Sequence, residues 1–163
     1  MDLKPLSKEA IPAALAKAER YRLLNEPADA ESICLDVLRV DPTNQDAVVT
    51  LLLALSDQFE DASASHAVGA VHDVIARLRS EYDRHYYSGI VCERRGKAWL
   101  HRGRPAQEVA AWLREALGHY ELAEALRETG NDDAILRWNA CVRILTSLPV
   151  HTEVGEPEPL QLE

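Results

Sequence analysis

Apolar residues recur along this chain at intervals of three and four, the spacing that lines up one stripe of a helix. Ile11, Leu15, Ala18 and Leu23 form the first stripe, with Ser7 as a candidate cap and Pro12 in the first turn, where a missing amide costs little. Asn25-Glu26 closes that helix and Pro27 opens the next. Its residues Ala30, Ile33, Cys34, Val37 and Leu38 share one side, while Glu31, Asp36 and Arg39 lie off it. A turn at Asp41-Pro42-Thr43-Asn44 leads to a third helix over residues 45–59, whose run VVTLLLAL is apolar almost all round. A helix without a polar face must be covered on several sides, so this one is expected in the middle of the stack. Helical spacing then resumes over 66–79, 81–101, 106–128 and 132–148. The pattern predicts an all-α chain of seven helices, three hairpins and a closing helix. Gly89 and Gly96 each cost on the order of 1 kcal/mol in a helix interior, so they are expected to mark close approach to a neighbour.

The order of small, large and turn residues repeats. Small side chains stand at Ala14, Ala18 and Ala30, a large one at Tyr21, and Pro42 follows the second helix. Gly96, Trp99 and Gly103 reproduce the order Ala18, Tyr21, Asn25, and Asn131-Asp132-Asp133-Ala134 takes the place of Asn44-Gln45-Asp46-Ala47. In this the chain resembles the tetratricopeptide repeat (TPR) family, well over Ile11 to Asn44, in part from Ile90 to about Ser147, and weakly between. Ala14 and Lys17 stand where the family has tryptophan and leucine. The resemblance implies a TPR-like right-handed α-α superhelix of about three helical hairpins plus a closing helix over residues 1–148. It also implies a non-catalytic scaffold or adaptor that holds a partner peptide or protein in a concave groove.

Composition narrows the function further. The 163 residues are 47% hydrophobic and 28% charged, as in an ordinary globular domain. A net charge of −9 opposes nucleic acid, whose affinity rests on phosphate neutralisation by Lys and Arg. The start MDLKPLSKEA lacks a signal-peptide core and the apolar run near residues 47–55 is too short to span a bilayer, so a cytoplasmic protein is expected, with no membrane partner. Cys34, Cys92 and Cys141 each sit within an apolar helical pattern and read as buried free thiols. Residues 149–163, with four glutamates, three prolines and no Lys or Arg, read as a flexible acidic tail that either solubilises the chain or folds back on its basic segment.

Candidate chemistry is sparse. There is no phosphate loop, nucleophile elbow or calcium loop, and no pair of histidines at i, i+4, so no catalysis, metal or other cofactor is expected. One stretch stands out: between Glu81 and Arg104 six Lys or Arg face three acids, interleaved with aromatic residues. Arg94, Lys97 and His101 fall on one side of the helix, with Tyr86, Tyr87 and Ile90 a turn or more earlier. By the resemblance, the groove runs along the first helix of each unit, which adds Leu15, Glu19 and Arg22 from the first, Glu93 from the third, and Leu136 and Arg143 from the closing helix. Lys97, Arg94 and Arg143 are then expected to hold an acidic partner by charge-assisted bonds. The competing reading is that Arg94, Arg95 and Lys97 pair with the protein's own acids. A regulatory module or enzyme subunit holding a small anionic ligand near Tyr86, Arg94 and Trp99, and a homodimer formed through exposed ends, are the alternatives.

Overall fold

A computed structural model describes residues 2–61, 63 and 65–149, and the tail expected over 149–163 lies outside them after Pro149. Among the described residues there are seven α-helices and no strand: α1 (Ile11–Leu23), α2 (Pro27–Val40), α3 (Gln45–Asp57), α4 (Ser65–Ile75), α5 (Glu81–His101), α6 (Ala106–Leu126) and α7 (Asp133–Ser147). No helix is long and apolar enough to cross a membrane.

Local chemistry explains most boundaries. Asn44 caps α3 by accepting the Ala47 N–H at 2.9 Å, and Ser80 caps α5 by accepting from Asp83 at 3.2 Å. Ser7 was expected to cap α1, but its side chain makes no capping bond; it precedes a 3-10 turn, Lys8–Ala10, that runs into the helix. Asn25 (φ 61°) ends the first hairpin's leading helix in the left-handed region, and Gly103 (φ 67°) does the same for α5. The two turns share one bonding pattern. Glu26 donates to Tyr21 O at 2.9 Å and Asn25 to Arg22 O at 3.0 Å; Arg104 donates to Trp99 O and Gly103 to Leu100 O, both at 3.0 Å. Pro27 and Pro105 then open the following helices. The order Ala18, Tyr21, Asn25 against Gly96, Trp99, Gly103 therefore marks the same local structure built twice.

Consecutive helices pack on one another from α1 to α7, and alternate helices also touch, α1 with α3, α3 with α5 and α5 with α7. As expected from its all-round apolar run, α3 is the covered one, meeting α1, α2, α4 and α5. Ala47, Val48, Leu51, Leu52, Ala54 and Leu55 on it are buried. Two apolar clusters result. The first spans α1 to α4 and takes Val91 and Ala98 from α5; the second joins α5, α6 and α7 around Ile90, Cys92, Leu113, Tyr120, Ala134 and Cys141. Because α5 feeds both, it sets the position of one half against the other.

The glycines of α5 behave as their cost implied. A Cβ at Gly89 would sit 2.5 Å from Cε1 of Tyr120, and one at Gly96 would sit 3.2 Å from the Leu113 side chain, so both let α6 approach.

Candidate functional site

On α5, residues 86, 90, 93, 94 and 97 turn toward the alternate helices, and most of their polar atoms are already engaged. Arg94 reaches back to the end of α3. Its Nη1 lies 2.8 Å from Asp57 Oδ1 and donates to Leu53 O at 2.9 Å and Ser56 Oγ at 2.5 Å. A cation there also meets the negative end of the α3 dipole. The other Asp57 oxygen accepts from Arg22 Nε at 2.7 Å, so one carboxylate ties α1, α3 and α5 together.

Glu93 is the second node. Its side chain is 1% exposed, and a carboxylate so buried is costly unless paired and hydrogen-bonded. Lys97, one turn on, donates to Oε1; Tyr120 of α6 donates to Oε2 at 2.6 Å; and Arg137 of α7 stands 3.4 Å from Oε1. Burial alone would raise the carboxyl's pKa. The bonds from Lys97 and Tyr120 and the charges of Lys97 and Arg137 outweigh it and hold the group below its usual range. Arg137 gains in turn: burial lowers its pKa, but Glu93 and Tyr86 more than restore it.

Arg22 and Arg94 thus meet on Asp57 across α1, α3 and α5, while Lys97 belongs to the separate Glu93 node with Tyr120 and Arg137 across α5, α6 and α7. Of the three cations the competing reading paired with the protein's own acids, Arg94 and Lys97 are so bound, whereas Arg95 lies over the Trp112 ring. Ile90, expected to line a groove, is 4% exposed and belongs to the apolar core beneath. Tyr86 and Tyr87 are half-buried near the start of α5, where Tyr86 stacks on Tyr82 at 5.7 Å and meets Tyr87 edge-on at 5.1 Å. His101 makes an exposed 2.7 Å pair with Glu60, past the end of α3. Arg143 is exposed and makes no ion pair among the described residues; the cation of α7 that reaches Glu93 is Arg137, a turn and more earlier.

The basic segment 81–104 does not form a single patch either. Arg84 donates to Leu78 O and Arg79 O, Arg95 lies 4.3 Å from the Trp112 ring centroid, Arg102 donates to Phe59 O, and Arg104 pairs with Glu108 at 2.7 Å. Trp99 packs edge-on to Trp112 of α6 at 5.8 Å while Arg94 points to α3, so the pocket expected near Tyr86, Arg94 and Trp99 is not assembled.

The residues missed from the sequence are Arg137, Asp57 and Tyr120. Arg137 had a signal: it stands three residues after Ala134 and four before Cys141, both fully buried, so a cation sits on the inner stripe of α7. The three cysteines are free and buried, and burial pushes each thiol up to about 12, so none is a thiolate nucleophile at neutral pH. Among the described residues, four part-exposed cations, Arg22, Arg94, Lys97 and Arg137, share two carboxylates, Asp57 and Glu93. Compared with protein-family models, curated proteins and solved structures, the chain matches none of them.

Proposed function

We propose that this chain is a non-catalytic protein-binding scaffold of the TPR-like kind, a right-handed array of about three hairpins and a closing helix acting in the cytoplasm. Its binding face follows the alternate helices α1, α3, α5 and α7 and takes an acidic segment of a partner protein. The observation that carries this reading is the surplus of cations on that face of an otherwise acidic protein: Arg22, Lys97 and Arg137 keep 19%, 35% and 40% of their side chains exposed. Arg94 and Asp57 hold the row in place, and Tyr86 and Tyr87 border it. Guanidinium groups fixed on a rigid scaffold suit bidentate carboxylate recognition.

Fluorescence anisotropy with a labelled Glu/Asp-rich peptide tests this. Arg22→Ala with Arg137→Ala should weaken binding at least about tenfold, since a hydrogen bond to a charged group contributes about 1.5–3 kcal/mol. Added salt should weaken it too. Equal affinity for the acidic peptide and its Gln/Asn counterpart would overturn the reading.

A further inference from the structure

A second cluster lies on the other side of α5, in its seam with α6. Cys92 comes from α5; Glu115 and His119 are four apart on α6 and therefore share one face. One ligand atom from each, Cys92 Sγ, a Glu115 carboxylate oxygen and a His119 ring nitrogen, lie within 4.8 Å of one another. Around a tetrahedral zinc ion such atoms stand roughly 3.3–3.6 Å apart, so small side-chain rotations close the distance. His85 falls on the Cys92 side of α5, seven residues earlier, and its ring centroid is 6.1 Å from that of His119.

A separate observation points to a ligand. His119 Nδ1 is buried and finds no hydrogen-bond partner among the described residues. Buried polar atoms are otherwise satisfied almost without exception, and an orphan calls for an explanation. Cys92 is buried, whereas Glu115 is exposed, which gives an ion a way in from solvent.

We propose that Cys92, Glu115 and His119 form a site for a divalent transition metal of the zinc class. The donor set of one thiolate, one imidazole and one carboxylate suits a borderline-soft ion and not calcium or magnesium, which take oxygen ligands. On binding, the Cys92 thiol releases its proton to solvent. The thiolate and the Glu115 carboxylate then balance the two positive charges, and His119 binds as neutral imidazole. A fourth position remains, beside which His85 lies. Such an ion bridges α5 and α6 and stabilises the hairpin by mass action.

The probe is Co2+ added to the full-length reduced protein, followed by absorption spectroscopy. A thiolate-to-cobalt charge-transfer band saturating at one ion per chain, displaced by Zn2+ and lost in Cys92→Ser, is the expected result. Glu115→Gln, at an exposed position where substitutions change stability little, should weaken Co2+ binding by at least about tenfold. Absence of the band at one equivalent, its persistence in Cys92→Ser through Cys34 or Cys141, or an unchanged affinity in Glu115→Gln would overturn the site.

Discussion

Lys97→Glu is expected to destabilise the fold by about 3 kcal/mol, at the lower end of the range for breaking a buried ion pair because Lys97 keeps a third of its side chain in water. Taken as a surface lysine, residue 97 would tolerate the change within about 0.5 kcal/mol. The structure reverses that expectation. The substitution removes a donor from a carboxylate that is 1% exposed and places a second negative charge one turn away. Arg137 and the Tyr120 hydroxyl remain, which is why Lys97→Met should cost less than Lys97→Glu. Urea denaturation of the three proteins at pH 7 decides the matter; equal midpoints would mean that Glu93 does not depend on Lys97.

The same group gives the fold a defined acid sensitivity. The folded pKa of Glu93 is depressed, so its contribution is fully present above the unfolded value of about 4.3 and is lost as pH falls through the lower folded value. Below about pH 4.3 the stability of the native protein should therefore drop more steeply than that of Glu93→Gln. Parallel curves from pH 6 to pH 3 would contradict the pairing.

Gly89→Ala carries the second large effect. On helix propensity alone it should stabilise α5 by about 1 kcal/mol. The new methyl would instead meet three ring atoms of Tyr120 at 2.5–2.9 Å. That ring cannot swing aside freely, because it is fully buried and its hydroxyl is bonded to Glu93. Overpacking of this kind costs about 1–3 kcal/mol and should outweigh the propensity gain. Gly118→Ala is the control. Gly118 lies in α6 with nothing within 4 Å of its Cβ position, so alanine there should raise the melting temperature. If both substitutions stabilise, the α5–α6 approach is looser than described.

Much of the architecture was legible because it rests on local chemistry. Both ends of α5 agree with the expected residues 81–101, since Ser80 caps one end and Gly103 takes the left-handed turn at the other. The fourth helix was expected to run to residue 79 but ends at Ile75. Residues beyond it are drawn off by the α2–α3 turn: Arg77 donates to Pro42 O at 2.9 Å, and the Arg79 N–H donates to Gln45 Oε1 at 2.9 Å. Likewise the end of α3 tightens into a 3-10 turn, Gln58–Glu60, against which Arg102 and His101 of α5 bond. No spacing within either segment carries those partners.

The candidate sites divide along the same line. That α5 is basic, aromatic and interrupted by functional glycines was written in its own residues. Which of its cations remain open to a ligand was decided by Asp57 on α3, Tyr120 on α6 and Arg137 on α7, and the Cys92, Glu115 and His119 cluster exists only where α5 meets α6. Periodicity, caps and turns act over a few residues, so the sequence by itself determined the seven helices found among the described residues and where most of them begin and end. Charge pairing, burial and ligand geometry act across space between residues far apart in the chain, so they were decided only when the helices packed.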